Sequence, residues 1–363
     1  MASEIGQIRP DYDGACTSNL VRALQGGAHW IPEVVRGASA IVLFVLDGLG
    51  WDQVDTRRDR LPTLASMAGG PISTVVPSTT PTALTSISTG CSPAEHGIIG
   101  YRMFVGDGVL NVIRWAMQGK APPDPDVIQP RQAFHGQALP VVTRAQFRDT
   151  KFTDILYRGA ELHGYFSTSG IVEHTRALID RGDTFVYAYY DGPDLVAHMH
   201  GMHDRFFAAE LSFCDSMVSQ LLDAVGDDVA VVVTADHGHV HFSDRIEIGA
   251  LNDMCVAQAG ESRFRYLHAK PGATAELLAA AQELCAPYGW CFTRDQLIDE
   301  GWFGPRAPSG EVRRRIGDVV LAAREPVGFV DPANPGESRL LSGHGSITSG
   351  DMLVPFIAAR GRL

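Results

Sequence analysis

The chain has 363 residues, of which 45% are hydrophobic, and its formal net charge is −12. This composition is typical of a folded globular protein with one or two domains. The acidic balance argues against a nucleic-acid or anionic-membrane footprint, but it says little about the substrate. No uncharged run approaches the ~20 residues that span a bilayer. The six cysteines form no CxxC pair, which argues against a cysteine-based zinc site.

The hydrophobic patterning predicts an alternation of strands and helices. In chain order we expect a strand at 40–46, a short helix at 61–67, a strand at 72–76, a helix opening at 83–88, a loop-rich segment at 101–150, a helix at 171–180, a strand at 184–190, a helix at 206–225, a strand at 229–235, helices at 274–284 and 311–324, and a last strand at 352–358. This order predicts an α/β fold, a three-layer α/β/α sandwich with a mostly parallel central sheet.

The domain organisation is predicted from where runs of core type occur. Residues 1–37 precede the first such run and are interpreted as an N-terminal extension. Residues 38–245 form the first part of the core and residues 339–363 its last part. Between them, residues 246–338 carry more charges, glycines and prolines and show no run of core type, so we predict an inserted cap subdomain there.

Three apolar runs of the predicted core stop at aspartates. The runs at 40–46, 184–190 and 229–235 end at Asp47, at residues 191–194 and at Asp236. Because ligands bind beyond the carboxyl ends of parallel strands, we expect these carboxylates at one edge of one sheet. Carboxylates gathered at one place repel each other and require cations. The pattern therefore predicts a metal site.

Histidines near these aspartates extend the predicted site. Asp194 and His198 are spaced i, i+4, which places both on one face of a helix. His237 follows Asp236 and precedes a glycine, and His344 lies between two glycines. Mixed aspartate and histidine ligation without thiolates suits Zn²⁺, and Mn²⁺ less often. With Asp47, the candidate ligands exceed one tetrahedral site and fit two.

A candidate nucleophile lies in residues 76–84. Thr80 followed by Pro81 fits a helix N-cap and a first helical residue, whereas Thr79 does not, so we prefer Thr80 to Thr79. At a helix N-terminus beside a cation, the alkoxide of such a hydroxyl would be stabilised and a phosphate's oxygens could bind.

Taken in order, these residues resemble the alkaline phosphatase superfamily, and most closely its branch of type I phosphodiesterases and nucleotide pyrophosphatases. The resemblance rests on Val45-Leu46-Asp47-Gly48, Thr80 with Gly90, Pro93-Ala94-Glu95-His96-Gly97-Ile98, Pro193-Asp194, His198, Gly201, Thr234-Ala235-Asp236-His237-Gly238 and Gly343-His344-Gly345. It spans residues 41–358 in the family's order, so the match as a whole is more specific than any one motif.

The resemblance implies a hydrolase that cleaves phosphoesters with two zinc ions, or with Mn²⁺ in their place, through a phosphothreonine on Thr80. It assigns the ligands to two sets, Asp194, His198 and His344 for one ion and Asp47, Asp236, His237 and Thr80 for the other. One position departs from the family pattern. The diesterases usually carry an asparagine three residues after the nucleophile, and here that position is Ala83. Thr82 or a donor from elsewhere would have to replace it.

Several alternatives remain open for individual residues. Asp191 is an alternative ligand to Asp194, and Arg102 is either a substrate contact or a surface charge. His96 is expected to be a structural histidine that fixes the loop beneath the site. The other histidines near the ligands in sequence are expected to support them or to lie at the surface, namely His200, His203, His239 and His241.

The first functional hypothesis is therefore a phosphodiesterase or nucleotide pyrophosphatase, an enzyme of the hydrolases acting on ester bonds. A phosphomonoesterase is the second, and would need a guanidinium for the extra charged oxygen, for which Arg102 is the candidate. Phosphonate hydrolysis and a non-catalytic metal-binding interaction protein are further alternatives. The first residues lack the basic and apolar regions of a signal peptide, so we expect a cytoplasmic location.

Overall fold

The structure, a computed structural model, describes residues 6–332 and 336–363. Residues 1–5 of the predicted extension and 333–335 of the predicted cap lie outside the described residues. The strands are β1 (Ala40–Leu46), β2 (Ala68–Ser73), β3 (Arg102–Val105), β4 (Gly108–Asn111), β5 (Ala116–Met117), β6 (Pro140–Arg144), β7 (Glu161–Tyr165), β8 (Phe185–Tyr190), β9 (Val229–Thr234), β10 (Val240–His241), β11 (Asp244–Glu247), β12 (Cys255–Glu261), β13 (Phe264–Ala269), β14 (Gly289–Thr293), β15 (Val319–Ala323), β16 (Val327–Val330), β17 (Ser342–Gly343) and β18 (Leu353–Arg360).

Helices connect these strands. The α-helices are α1 (Leu20–Gly26), α2 (Trp51–Asp55), α3 (Pro62–Ser66), α4 (Thr80–Thr89), α5 (Pro93–His96), α6 (Pro125–Ile128), α7 (Lys151–Leu156), α8 (Ser169–Arg181), α9 (Gly192–His200), α10 (Arg205–Ala224), α11 (Thr274–Cys285), α12 (Arg294–Asp299), α13 (Gly310–Arg315) and α14 (Ser349–Met352). Short 3-10 segments are Thr17–Asn19, Glu33–Val35, Ala133–Gly136, Ala145–Phe147, Gly249–Met254 and Glu337–Arg339. Among these helices, none is both long and apolar enough to cross a lipid bilayer.

The central sheet has seven strands within the described residues, in the order β2-β18-β9-β1-β8-β6-β7. β1 pairs in parallel with β8 and β9, and β6 pairs in parallel with β8 and β7. β18 runs antiparallel to both of its neighbours, β2 and β9. β8 and β9 are buried along their whole length, as expected for strands covered on both faces. The prediction of a three-layer α/β fold with a mostly parallel sheet is confirmed.

A second sheet lies inside residues 246–338. It has four strands in the order β12-β13-β15-β14, and β11 pairs separately with β16. The expectation that this segment lacks a run of core type is wrong, because all five residues of β15 are buried. The boundaries of the predicted cap subdomain remain a prediction.

The helix predicted at 311–324 is also wrong over its second half. Helix α13 ends at Arg315, and β15 begins four residues later. Gly317 lies against the neighbouring strand, where a Cβ atom would be 2.6 Å from the backbone nitrogen of Leu267. This close approach ends the helix, and the β-branched pair Val319-Val320 then favours a strand.

The bounds of one further predicted strand are wrong. The strand expected at 72–76 is β2 at 68–73, because Gly69 allows close pairing with β18 at the start of the strand; a Cβ on Gly69 would lie 2.2 Å from the Phe356 carbonyl oxygen. The segment 101–150, which we predict to be loop-rich, consists of short elements joined by turns and irregular residues. It contains the antiparallel sheet β3-β4-β5 and also β6, which joins the central sheet.

The buried helix α4 is held from below by His96. Ile98 N–H donates to His96 Nδ1 at 3.1 Å, so Nε2 of the neutral ring carries the proton and donates to Ser86 Oγ at 2.8 Å. Burial, followed by the charges of Arg131 and Arg315, lowers the pKa of His96 to about 3. The expectation of a structural histidine at this position agrees with these contacts.

This histidine makes stability depend on pH in a defined direction. In the unfolded chain His96 binds a proton below about pH 6.5, whereas in the folded chain it stays neutral down to about 3. The unfolded state therefore binds more protons between these values, and stability falls with falling pH, by about 2 kcal/mol from pH 7 to pH 5. We expect His96→Asn, which keeps an acceptor for Ile98 N–H, to lose correspondingly less stability than the wild type between pH 7 and pH 5. Urea unfolding of both chelator-treated proteins at pH 7, 6 and 5 measures this difference; equal pH slopes would contradict it.

Candidate metal centre and active site

The ends of β1 and β9 bring two buried carboxylates together. Asp47 follows β1 and is 2% exposed, and Asp236 follows β9 and is 0% exposed. Gly48 N–H donates to Asp236 Oδ1 at 3.1 Å, and Asp194 N–H donates to the Asp47 carbonyl oxygen at 3.0 Å. The backbone thus fixes all three aspartates at one sheet edge, as the strand-end pattern predicts.

Helix α9 carries the predicted i, i+4 pair. His198 Nε2 lies 3.3 Å from Asp194 Oδ1, so both side chains share one face of the helix. Asp191, the alternative ligand, instead forms an ion pair with Arg144, whose Nε is 2.5 Å from Asp191 Oδ1. Asp194 rather than Asp191 therefore joins the cluster.

Three imidazoles are held by backbone carbonyls. His198 Nδ1 lies 2.9 Å from the Ser342 oxygen, His237 Nδ1 3.0 Å from the Gly238 oxygen, and His344 Nδ1 3.0 Å from the Ser78 oxygen. A carbonyl oxygen can only accept, so each Nδ1 carries a proton, and whenever the ring is neutral its Nε2 has a lone pair available to a cation.

These lone pairs face carboxylate oxygens. His344 Nε2 lies 3.8 Å from Asp194 Oδ1, and His237 Nε2 lies 3.5 Å from Asp47 Oδ1. Lone pairs and carboxylate oxygens repel each other at such distances unless a cation lies between them. The donor set therefore fits divalent metal ions.

The buried carboxylates support the same conclusion. Burial, and then the charges of Asp236 and Asp194, raise the pKa of Asp47 well above its usual range. Burial also raises the pKa of Asp236, whose Oδ2 is buried without a hydrogen-bond partner among the described residues. For Asp194 burial works in the same direction, but the charge and hydrogen bond of His198 outweigh it and lower the pKa. An unpartnered buried carboxylate oxygen is costly, and a bound cation removes that cost.

The ligand atoms fall into two overlapping groups. In the described part of the chain, those of Asp194, His198, His239 and His344 lie within 4.8 Å of one another. Those of Asp47, Asp194 and His237 do so as well, and Asp236 Oδ2 is 3.4 Å from His237 Nε2. The structure thus gathers all six predicted aspartates and histidines at one place.

His239 is a further member of this cluster, which sequence reasoning did not count among the ligands. We expect it to support the ligands or to lie at the surface; its side chain is fully buried and its Nε2 is 2.7 Å from Asp194 Oδ1, which excludes the surface. Burial lowers its pKa to about 4. Residue 239 is two positions beyond His237, and this alternation after a buried strand was the available signal.

Thr80 lies at the edge of the cluster. Its Oγ1 is 3.0 Å from His237 Nε2 and 3.5 Å from Asp47 Oδ1. The prediction that Thr80 is the N-cap is wrong by one position: Thr79, with extended backbone angles, is the N-cap, and Thr80 is the first residue of α4. Thr80 is distinguished from Thr79 by this proximity to the cluster and not by its position relative to Pro81.

A cavity of about 500 Å³ opens beside Thr80. It is lined by the cluster residues Asp194, His198 and His344, by residues of the 101–150 segment, and by residues from the second sheet and the segment after it. Arg102 lies in this lining and is 3.7 Å from Glu337. Thr82 is buried and is not among the residues that line this cavity.

Comparison with known proteins agrees with this architecture. The sequence profile of the type I phosphodiesterase / nucleotide pyrophosphatase family matches residues 41–173 and 165–347. The chain belongs to this family. Type I phosphodiesterases depend on metal ions, and membership places the chain among hydrolases that act on ester bonds.

Solved structures share the fold at low sequence identity. Murine ectonucleotide pyrophosphatase / phosphodiesterase 5 is 16% identical, with a TM-score of 0.68 and 88% of each chain covered. An inactive variant of the same protein was solved in complex with AMP. Phosphonoacetate hydrolase from Sinorhizobium meliloti 1021 is 18% identical, with a TM-score of 0.65, over 90% of this chain and 91% of the other.

A curated relative matches only a short segment. The catalytic subunit of GPI ethanolamine phosphate transferase 3 from Homo sapiens is 35% identical over 71 residues, which is 19% of this chain and 6% of that protein. The match thus covers a small fraction of the relative's length.

Proposed function

We propose that this chain hydrolyses phosphodiester or pyrophosphate bonds with Thr80 as nucleophile. The observation that carries the proposal is the position of Thr80 Oγ1, 3.0 Å from His237 Nε2 at the start of a buried helix and open to the cavity. Family membership and the likeness to a structure bound to AMP support a phosphoester substrate of small-molecule size.

Two divalent ions, zinc in the first instance and Mn²⁺ as the alternative, would be held by the cluster. Asp194, His198 and His344 would bind one, and Asp47, Asp236, His237 and Thr80 the other. When bound, the ions supply Lewis acidity for the phosphoryl oxygens and lower the pKa of the hydroxyl and of water.

The residues of the chain supply the nucleophile and part of the charge stabilisation. Thr80 Oγ1 attacks phosphorus and gives up its proton to solvent, while the bond to the leaving group breaks with its electron pair. The amide dipoles at the start of α4 stabilise the threonine oxygen and the phosphoryl charge. Water then attacks the phosphothreonine, and the bond between phosphorus and Thr80 Oγ1 breaks, which restores the hydroxyl.

The cavity lining would select the leaving group. Tyr101, Asn111 and Arg114 come from the 101–150 segment, and Glu261 and Ser262 from the second sheet. Arg102 could hold the extra charged oxygen of a monoester only by sharing its guanidinium with Glu337. We therefore place the diesterase ahead of the phosphomonoesterase. The cytoplasmic location remains a prediction.

A substrate comparison tests the proposal. Zinc-loaded protein is assayed with bis-p-nitrophenyl phosphate, p-nitrophenyl phosphate and phosphonoacetate. We expect kcat/KM for the diester to exceed that for the monoester by about tenfold or more, a difference of ~1.4 kcal/mol in transition-state stabilisation. Preference for the monoester would identify a phosphomonoesterase instead, and preference for phosphonoacetate would identify a phosphonate hydrolase. No turnover of any of them by metal-loaded protein would leave a metal-binding protein without this activity.

A further inference from the structure

His239 occupies the same side of the cluster as His198 and His344. Its ring centroid is 4.7 Å from that of His198 and 5.1 Å from that of His344, and its Nε2 is 2.7 Å from Asp194 Oδ1. All four ligand atoms lie within 4.8 Å of one another. This buried imidazole has no other role in the proposed reaction.

The ring is held in the same manner as its neighbours. His239 Nδ1 lies 3.1 Å from Ser342 Oγ, and the carbonyl oxygen of the same serine holds His198 Nδ1. The 2.7 Å contact allows Nε2–H to donate to Asp194 Oδ1. Because a serine hydroxyl can accept as well as donate, it can also accept from Nδ1, and that tautomer leaves the Nε2 lone pair free to bind an ion next to Asp194. An outer hydrogen bond of this kind is the usual partner of a histidine that ligates a metal.

Gly48 makes room for this ring. A Cβ atom at Gly48 would lie 2.8 Å from His239 Cδ2 and 3.0 Å from the Cα of Asp194. Gly48 also has φ +73°, a conformation that favours glycine. The backbone after β1 is thus shaped so that His239 and Asp194 meet beside it.

We propose that His239 is a fourth protein ligand of the ion assigned to Asp194, His198 and His344. This inference rests on the metal centre of the proposed function and adds a residue to it. The ion would then have three imidazoles and one carboxylate, a complete tetrahedral set, whereas catalytic zinc commonly has three protein ligands and an open position. Such an ion would be held tightly by the chain.

His241 provides a matched control. It lies two residues further on, in β10, and its ring packs against His203 with centroids 4.6 Å apart. Its Nδ1 accepts from Met202 N–H at 3.4 Å. It does not belong to either group of candidate ligands in the described residues.

Counting metal-bound imidazoles tests the proposal directly. The full chain, with ¹⁵N-labelled histidine, is loaded with ¹¹³Cd²⁺, and scalar coupling between cadmium and imidazole nitrogen is recorded by NMR. We expect four coupled histidines in the wild type, namely His198, His237, His239 and His344, three in His239→Gln, and four in His241→Gln. We also expect His239→Gln to weaken the binding of one ion in chelator competition by more than the ~10–100-fold that the loss of an outer hydrogen-bond partner costs.

Three coupled histidines in the wild type would overturn the inference and leave the proposed function intact. This readout does not depend on whether His239→Gln folds, because it is made on the unaltered chain. Failure of the wild type to bind cadmium at all would overturn the metal centre of the proposed function and this inference with it.

Discussion

Replacing Thr80 by alanine should lower the rate of phosphodiester hydrolysis by ~10³-fold or more while metal binding persists. The hydroxyl is the atom expected to form the covalent intermediate, and its Oγ1 lies 3.0 Å from His237 Nε2. Asp47, Asp236 and His237 would still hold the ion beside it. The measurement is kcat with saturating bis-p-nitrophenyl phosphate, together with the metal content of the purified variant.

Two companion variants make this result specific. Thr80→Ser keeps a hydroxyl and should retain a measurable part of the activity. Thr79→Ala removes the neighbouring hydroxyl at the N-cap, which is the alternative nucleophile, and should reduce turnover by no more than about tenfold. Loss of activity in Thr79→Ala with retention in Thr80→Ala would identify Thr79 as the nucleophile and overturn this assignment.

Asp236→Asn should abolish binding at one ion site and yet stabilise the metal-free protein. Asp236 Oδ1 accepts from the N–H groups of Gly48 and His237, contacts that an asparagine oxygen preserves. Its Oδ2 is buried and has no hydrogen-bond partner among the described residues, and it lies 3.4 Å from His237 Nε2. An asparagine NH₂ at that position can donate to this nitrogen, and the uncompensated buried charge is removed. We expect the metal-free variant to be about 1–3 kcal/mol more stable than the metal-free wild type.

Both effects, the loss of ion binding and the gain in stability of the metal-free protein, are measured in one thermal-unfolding series with and without zinc. Wild-type Tm should rise on adding zinc, since an ion present at about 100 times its Kd adds ~2.7 kcal/mol. The Tm of Asp236→Asn should start higher and rise less. Asp191→Asn is the control, because that carboxylate lies at the same sheet edge but pairs with Arg144. A zinc-induced rise as large in Asp236→Asn as in the wild type would exclude Asp236 as a ligand.

The central sheet and most of the cluster could be predicted because their signals are local in the sequence. Continuous apolar runs that end at Asp47 and Asp236 define both the strands and the edge at which their ligands meet. The i, i+4 spacing of Asp194 and His198 defines a shared helix face in the same way. Each of these inferences needed only the residue pattern within one helix or strand and, for the strands, the direction in which the chain runs.

The features that were missed depend on contacts between distant segments. His239 enters the cluster because Gly48 leaves space for its ring and Ser342 holds its Nδ1, at positions 191 residues before and 103 residues after it. The end of α13 depends on the close approach of Gly317 to Leu267 in the second sheet. Neither contact leaves a periodic pattern near the residue concerned.

The antiparallel strand β18 has a consequence for the order in which the protein can be assembled. β2 and β9 lie on either side of β18, and no other strand joins β2 to the central sheet in the described residues. His344, a proposed ligand of the ion at Asp194, lies nine residues before β18. Asp47, Thr80, Asp236 and His237 are all synthesised before it, so the other proposed ligand set is present earlier in translation. Tight binding of the ion at Asp194 would thus mark chains that have been synthesised at least as far as His344.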